Sequence, residues 1–308
     1  MVKPDYPRFA ILNGELLPFD EARISIMAPG LTFAATVFEG IRGYWNAEQQ
    51  ALNLFRCDEH LERLNFSMRV VEFDDPPSAP TVADDIHKVI VANEMREDCY
   101  IRAQVFVDDW GDIASTGPTG YSVICRRRPR QAGVDQGKHF VVSSWRRLDD
   151  DASPPRIKAT ANYLNSRLVS LEAYRQGAGG AIILNRDGTV SEGPSGCVFL
   201  VRDEQLITPP VTAGILESIT RGTLLKIAAD LGIQTVERAV GRTELYLATE
   251  MFYCGTGQEL VPILSVDQKS VESGEPGPIT RTLQATYDRV VRGNEETYRA
   301  WLTPIEFN

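Results

Sequence analysis

Lysine is scarce in this chain of 308 residues: of its 32 lysines and arginines only six are lysines, at positions 3, 88, 138, 158, 226 and 269. Lys3, Lys88, Lys138, Lys226 and Lys269 lie near a terminus, in loops or on polar helix faces, where a solvated charge is the natural expectation. Lys158 differs. It sits in Ile157-Lys158-Ala159-Thr160-Ala161-Asn162-Tyr163, a run of small residues leading into a helix start. An amine shielded among small and apolar groups can shed its proton and attack a carbonyl carbon to form an imine. Read alone, the segment is more simply a surface lysine before a helix.

Three segments offer anion-binding chemistry. Thr208-Pro209-Pro210 leads through Gly214 to Glu217-Ser218-Ile219-Thr220-Arg221. The free amides of a helix first turn, with Ser218 or Thr220 hydroxyls, attract an anion there, although most Ser-started helices are merely capped. Cys254-Gly255-Thr256-Gly257-Gln258 is a glycine-rich turn after a strand that can present backbone amides to a phosphate or carboxylate. It lacks the third glycine of a dinucleotide fingerprint, and an ordinary turn explains it as well. Arg56, at a strand-to-helix junction, opposes the helix dipole unless an anion is present; nearby Asp58 and Glu59 offer the plainer account. Glu192, in Val190-Ser191-Glu192-Gly193, is a solvated strand end or the acid that keeps a pyridine nitrogen protonated. One imine lysine, several phosphate donors and one acid for a ring nitrogen are what a pyridoxal phosphate site needs.

Composition bounds the alternatives. With 32 cationic and 42 anionic side chains the net charge is −10, which argues against broad nucleic-acid or anionic-membrane binding; a local cluster, Arg126-Arg127-Arg128-Pro129-Arg130, can still meet an anion. No apolar run approaches the roughly 18 residues of a membrane span, and Met1–Asp5 has no signal-peptide core. Five dispersed cysteines and three isolated histidines predict a reducing, cytoplasmic setting with neither disulfides nor a metal site.

The elements that must position these residues read as α+β. Asn13-Gly14 between Phe9–Leu12 and Leu16–Phe19 predicts a hairpin. Strands are expected at Ala51–Phe55, Tyr100–Val107 and Tyr121–Arg126. Leu61, Leu64, Met68 and Val71 mark a helix that Pro76, Pro77 and Pro80 close, and a second helix is expected over 81–96. Residues 126–137, without periodicity, read as an interdomain linker between a small domain (1–125) and a large one (138–308). In the second domain strands are expected at His139–Trp145, Ala181–Leu184, Cys197–Val201, Gln205–Thr208, Gln234–Arg238, Met251–Cys254 and Leu260–Val266. Helices are expected at Ser218–Leu231, 280–292 and 295–302. Strands and helices do not alternate regularly, which speaks against a doubly wound parallel sheet.

Taken in chain order, these segments form a recognisable series. Leu12-Asn13-Gly14-Glu15 is followed by Val37-Phe38-Glu39-Gly40-Ile41-Arg42, Phe55-Arg56 with His60 and Arg63-Leu64, and Tyr100-Ile101-Arg102. Lys158 with Asn162-Tyr163-Leu164-Asn165-Ser166, Ser191-Glu192-Gly193, Thr208-Pro209-Pro210, Gly214 with Ile219-Thr220-Arg221, and Gly255-Thr256 complete it. The series resembles the branched-chain amino-acid aminotransferase family of class IV (fold-type IV) pyridoxal phosphate enzymes, over nearly the whole chain. The resemblance implies a two-lobe α+β architecture like that of D-amino-acid aminotransferase. It implies that Lys158 carries the cofactor and shuttles the substrate proton, and that Arg56, Ile219, Thr220 and Thr256 bind the cofactor phosphate. By the same resemblance Glu192 pairs with the ring nitrogen and Tyr163 with the phenolic oxygen. Tyr100, Thr256 and Gly257 would hold the substrate α-carboxylate and Arg102 the distal carboxylate of glutamate or 2-oxoglutarate. Phe38 and Gly40 would line the side pocket. Family members are at least homodimers, and the loop Trp110-Gly111-Asp112-Ile113 would reach the neighbouring subunit.

Three departures bear on specificity. Where the family carries a His-Tyr pair this chain has Thr32-Phe33, which loses a hydroxyl and leaves Phe33 on the substrate side; Cys197 replaces the usual Asn; and a shortened loop reads Arg126-Arg127-Arg128-Pro129-Arg130. A cationic loop beside a less polar pocket suggests a larger or more acidic substrate. A D-amino-acid or (R)-amine transaminase, and an aminodeoxychorismate lyase-type activity, are the alternatives to a branched-chain L-amino-acid transaminase.

Overall fold

The structure, a computed structural model, describes residues 6–130 and 133–307. Lys3, the Met1–Asp5 segment and residues 131 and 132 of the expected linker lie outside them.

The first compact unit comprises Met1–Arg130, Ile157–Ala161 and Arg289–Asn308. Its sheet has the order β15-β4-β3-β5-β6-β1-β2, formed by β1 (Phe9–Leu12), β2 (Glu15–Pro18), β3 (Thr36–Asn46), β4 (Ala51–Phe55), β5 (Cys99–Val107), β6 (Thr119–Arg127) and β15 (Leu302–Glu306). Every pairing in it is antiparallel. A short helical turn, α1 (Pro29–Thr32), precedes β3; α2 (Cys57–Val70) and α3 (Ala79–Ala92) share one hydrophobic core with the strands. The core takes Val37 and Ile41 from β3, Leu61, Leu64 and Met68 from α2, and Ile86 and Ile90 from α3. The Ser78 hydroxyl caps α3 by accepting from the Thr81 amide. Pro80 opens this helix instead of closing the preceding one, because a first-turn residue needs no N–H partner.

The second unit comprises Gln131–Arg156 and Asn162–Asp288. Its sheet runs β11-β10-β9-β12-β13-β7-β8, with β14 (Lys269–Ser270) paired to β13. The strands are β7 (Lys138–Arg146), β8 (Gly180–Leu184), β9 (Cys197–Arg202), β10 (Gln205–Thr208), β11 (Thr235–Glu237), β12 (Glu250–Gly255) and β13 (Glu259–Val266). Three pairings are parallel: β10 with β11, β13 with β7, and β7 with β8. Helix α4 (Tyr163–Arg175) buries Val169 and Ala173 against β7 and β8, and α5 (Ile219–Asp230) buries Leu224 and Ile227. Helix α6 (Pro278–Val291) closes the unit.

The architecture is the expected α+β pair of sheets, with instructive differences. β3, eleven residues long, escapes a sequence reading because Gly40, Gly43, Glu39 and Arg42 break its alternation. The cationic run starts inside β6, so Arg126 and Arg127 are strand residues, not linker. The helix expected at 295–302 is a 3-10 turn (Glu296–Trp301) followed by β15, whose Pro304 is tolerated on an edge strand. The segment 157–161 belongs to the first unit because Ala159 bridges to Val37, and the tail belongs there because β15 pairs with β4; the expected unbroken domain over 138–308 is thus interrupted twice.

Glu250 fastens α6. Its carboxylate, buried, accepts from the amides of Ile279 (3.0 Å) and Thr280 (2.7 Å) at the positive end of the helix. Replacing it by alanine strands those amides and is expected to cost on the order of 2 kcal/mol, with Glu250→Gln recovering part. Urea unfolding followed by circular dichroism checks this; an unshifted midpoint for Glu250→Ala would show the helix start is held otherwise.

Candidate active site

In the first unit the reactive-lysine candidate is delivered by backbone pairing. The Lys158 carbonyl accepts from the Phe38 amide (3.0 Å), the Lys158 amide donates to Ser67 Oγ (3.3 Å), and the Thr160 hydroxyl reaches the carbonyls of Ala34 and Thr36, each at 3.4 Å. The half-buried side chain lies over Phe38, with Nζ 5.1 Å from the ring centroid. Arg102 lies on the same ring, its Cζ 4.0 Å from the centroid, and its Nε donates to Gln104. Lys158, Phe38 and Arg102 are therefore brought together. Gly40 and Tyr100 are too: a Cβ at position 40 would overlap the Tyr100 hydroxyl, so only glycine lets that ring lie where it does. Phe33 stands apart from this group, half exposed at the end of α1.

Arg56 is the cap residue of α2 and holds a left-handed backbone (φ 52°). Its Nε donates to Glu59 (2.7 Å), its guanidinium lies 4.9 Å from the Trp301 ring centroid, and its amide bonds the Trp301 carbonyl. The adjacent carboxylate thus does meet Arg56, as the plainer reading held, while the strained cap presents the guanidinium at the helix start.

Beneath β3 lies a network whose roles the sequence did not suggest. Glu39 points to the helix side, fully buried, and accepts from Arg63 Nε (2.6 Å) and Nη2 (2.8 Å); His60 Nδ1 stands 2.7 Å away. Burial opposes ionisation of Glu39, but Arg63 and His60 override it and hold the carboxyl well below its usual range. Burial also pushes the His60 pKa down, against the pull of Glu39, with Arg63 and Lys158 adding to the depression.

The second unit gathers the acid and the anion-binding candidates. Glu192 is buried and receives Arg147 Nη2 at 2.7 Å; Arg147 in turn donates through Nε to the Gly214 carbonyl. Cys197 Sγ lies 3.9 Å from Glu192 Oε2, and burial first, then the Glu192 charge, keep that thiol protonated, opposed by Arg221 and a bond to Ser218. Ser218 also caps α5 by accepting from the Arg221 amide at 3.2 Å. Glu192, Cys197, Ser218 and the start of α5, where Ile219 and Thr220 sit, are thus linked. Arg221 is buried, donates from Nη2 to the Pro209 carbonyl and to Glu237, and leaves its Nε without an acceptor; Ser191 Oγ is likewise buried and unpartnered. Thr256 and Gly257 occupy the turn closed by the Gln258 amide on the Gly255 carbonyl. Tyr163, half-buried, opens α4.

Glu39, Arg63, Arg147 and Arg221 are the residues that reading for motifs undervalued. Each takes its role from a partner elsewhere in the sequence; Glu39, Arg63 and Arg221 stand in quoted motifs without a role, and Arg147 stands in none.

The chain matches the amino-transferase class IV family model over residues 36–266. It is 36% identical over 309 residues to the probable branched-chain-amino-acid aminotransferase of Aquifex aeolicus, covering 99% of each chain. Among solved structures it is similar to the branched-chain amino acid aminotransferase of Thermobaculum terrenum in its PLP form (39% identity, TM-score 0.92, 98% of this chain and 100% of that one). It is also similar to the T.th. branched-chain amino acid aminotransferase complexed with N-(5'-phosphopyridoxyl)-L-glutamate (31% identity, TM-score 0.91, 96% and 98%). No helix among the described residues is long and apolar enough to cross a membrane, and none of their His, Cys, Asp and Glu residues form a metal-binding group.

The buried network makes stability acid-sensitive. A group with a depressed folded pKa contributes stability that is complete above its unfolded pKa and is lost as pH falls through the folded one. For His60 the loss begins near 6.5 and for Glu39 near 4.5, their ordinary values. His60→Asn is expected to flatten the fall in unfolding free energy between about pH 7 and 5. Glu39→Gln, which leaves the partly buried Arg63 without its counter-charge, is expected to cost roughly 1–3 kcal/mol at neutral pH. Urea titrations at the two pH values check both; a His60→Asn profile parallel to the parent's would refute the first.

Proposed function

Because the chain belongs to the class IV amino-transferase family, we propose that this aminotransferase uses pyridoxal phosphate to move the amino group of branched-chain L-amino acids to a 2-oxo acid such as 2-oxoglutarate. The observation that carries the reading is Lys158, fixed by its backbone to β3 with its amine over Phe38 beside Arg102. The PLP form of the Thermobaculum terrenum relative and the phosphopyridoxyl-L-glutamate complex of the T.th. relative support cofactor and acceptor.

The residues suit such a group on grounds of their own. Arg221 Nε is a buried donor without an acceptor at the start of α5, and Ser191 Oγ is a buried hydroxyl without a partner beside Glu192. Both sit in motifs that the proposal gives to the cofactor. When bound, pyridoxal phosphate supplies an electron-withdrawing ring that lets the Cα–H bond of an attached amino acid ionise.

In this proposal Lys158 would hold the cofactor through Nζ and, once released by the substrate, would be the base that takes and returns the proton at the substrate Cα. Glu192 keeps a proton on the ring nitrogen, and Arg147 fixes its carboxylate in orientation. Arg56, the α5 amides at Ile219 and Thr220, and Thr256 hold the phosphate. Tyr163 donates to the phenolic oxygen. Tyr100, Thr256 and Gly257 take the α-carboxylate, Arg102 a distal carboxylate, and Phe38 and Gly40 shape the side-chain space.

The proposal includes a homodimer in the cytoplasm. Ile26 (80% exposed), Trp110 (73%) and Ile113 (79%) stand out from a chain whose large apolar residues are mostly buried, with Met27, Leu31 and Phe33 nearby in sequence. The two segments meet, since a Cβ on Gly111 would be 3.2 Å from Pro29 Cγ. An exposed apolar group of this kind marks a surface that another copy covers. Five free, buried cysteines accord with a reducing compartment.

Borohydride reduction of the holoenzyme followed by peptide mass analysis is expected to place the cofactor on Lys158, and Lys158→Ala is expected to abolish turnover of leucine, isoleucine and valine with 2-oxoglutarate. Fixation elsewhere, or turnover surviving in the variant, would sink the assignment. Light scattering is expected to give a dimer mass, and Trp110→Asp with Ile113→Asp to shift it toward the monomer; a parent that is already monomeric would refute the dimer.

A further inference from the structure

One face of the first sheet gathers guanidinium groups beyond Arg102. Register positions along β3 pair Phe38 with Gln104, Gly40 with Arg102 and Arg42 with Tyr100, and β6 sets Arg126 opposite Tyr100. Residues two apart on a strand point the same way, so these side chains share a face. One end of the face is fixed by Lys158, whose carbonyl bonds the Phe38 amide and whose amine lies over the Phe38 ring. Each two-residue step from that end adds roughly 7 Å. Arg102 stands one step out. Tyr100 stands two steps out, and the Cζ atoms of Arg126 and Arg128 each lie 5.4 Å from its ring centroid.

The cluster is built, not incidental. The buried Arg42 donates from Nη2 to the Arg128 carbonyl at 3.0 Å and lies with its own Cζ 5.0 Å from the Tyr44 ring centroid. Arg126 has no ion-pair partner among the described residues, although the chain carries an excess of carboxylates. Arg127, between the two and on the opposite face, does pair, with Glu97. Like charges gathered on one face repel, and a carboxylate laid among them reverses that sign. Guanidinium forks supported on an aromatic face are preorganised for such a carboxylate.

Resting on the transaminase reading above, we propose that Arg126 and Arg128 are specificity-determining residues that receive the side-chain carboxylate of dicarboxylic amino acids and 2-oxo acids longer than glutamate. The direction of the face decides which carboxylate this is. An α-carboxylate is bonded to the carbon that must meet Lys158 Nζ and stays at the Phe38 end, where the Tyr100 hydroxyl leans back against Gly40, whereas Arg126 and Arg128 stand over the Tyr100 ring. The guanidiniums over Tyr100 lie one step farther out than Arg102 and meet a carboxylate carried on additional methylenes.

The test compares half-reactions of the holoenzyme, followed by its visible absorbance, with L-leucine, L-glutamate, L-2-aminoadipate and L-2-aminopimelate. Calorimetric binding of the unreactive acids adipate and 4-methylpentanoate runs beside it. In the Arg126→Ala/Arg128→Ala double variant the kcat/KM ratio of 2-aminoadipate to leucine is expected to fall at least tenfold, carried by KM, and adipate to bind at least tenfold more weakly. Lysines at both positions are expected to restore part of the loss. Arg127→Ala is expected to leave the ratio within twofold. A ratio unchanged in a double variant that retains the parent's circular dichroism overturns the proposal. An equal loss for leucine and 2-aminoadipate also overturns it, since the pair would then hold the shared α-carboxylate. If leucine gives no half-reaction in the parent protein, it is the transaminase reading that has failed, and adipate binding still reports on the arginine pair.

Discussion

Everything in the first unit depends on a strand that is buried along both faces. β3 has almost no solvent-facing residue, yet it carries Glu39 and Arg42. A buried strand with charges must answer each of them, and the answers organise the candidate site. On one face Glu39 is met by His60 and Arg63 from α2, which fixes the helix against the strand and with it Arg56 at the helix head. On the other face Phe38 and Gly40 make room for Arg102, Tyr100 and the Lys158 amine. The Lys158 backbone is added to the same strand by main-chain hydrogen bonds, so the amine is left with only its side-chain torsions to vary. An amine held this way loses little entropy on engaging a ligand.

The second unit solves a related problem with opposite arithmetic. Glu192 is one buried carboxylate, and Arg147 lies directly on it while Arg221 influences the two buried thiols beside it, Cys197 and Cys254. A buried pair of this kind adds little net stability, because desolvation consumes most of the attraction. What it supplies is orientation: a carboxylate pinned through one oxygen has one direction left for its other interactions. Cys197 offers the Glu192 carboxylate only a weak donor, with Sγ 3.9 Å from Oε2.

How far the sequence disclosed this depended on the range of each interaction. Elements set by local chemistry were legible: the Asn13-Gly14 hairpin, the period of Leu61, Leu64 and Met68, and Gln205–Thr208 lie where the pattern put them. β3 was hidden because its glycines and charges make sense only beside Tyr100 and α2, which arrive later in the chain. β15 was hidden because Pro304 argues against a strand until β4 provides an edge to occupy. The candidate site divides in the same way. Lys158 could be singled out by the small residues around it, whereas Arg147 needs Glu192 in space, and Arg63 needs Glu39, before either shows a purpose.

The preference for arginine over lysine belongs to the same physics. A cofactor that bears an aldehyde reacts with any amine able to lose a proton, so each lysine near it competes with the one that must hold it. Arginine binds carboxylate and phosphate at least as well and stays protonated at every accessible pH, so it gives anion affinity without nucleophilicity. The positions around the Lys158 amine follow that rule: Arg102 shares its ring, and Arg42, Arg126 and Arg128 continue along the same face. Among the described residues, Lys88 pairs with Asp85, Lys226 with Asp230, and Lys269 lies over the Tyr246 ring. Scarcity of lysine is then a condition under which a single amine can be the reactive one while the surface beside it remains strongly cationic.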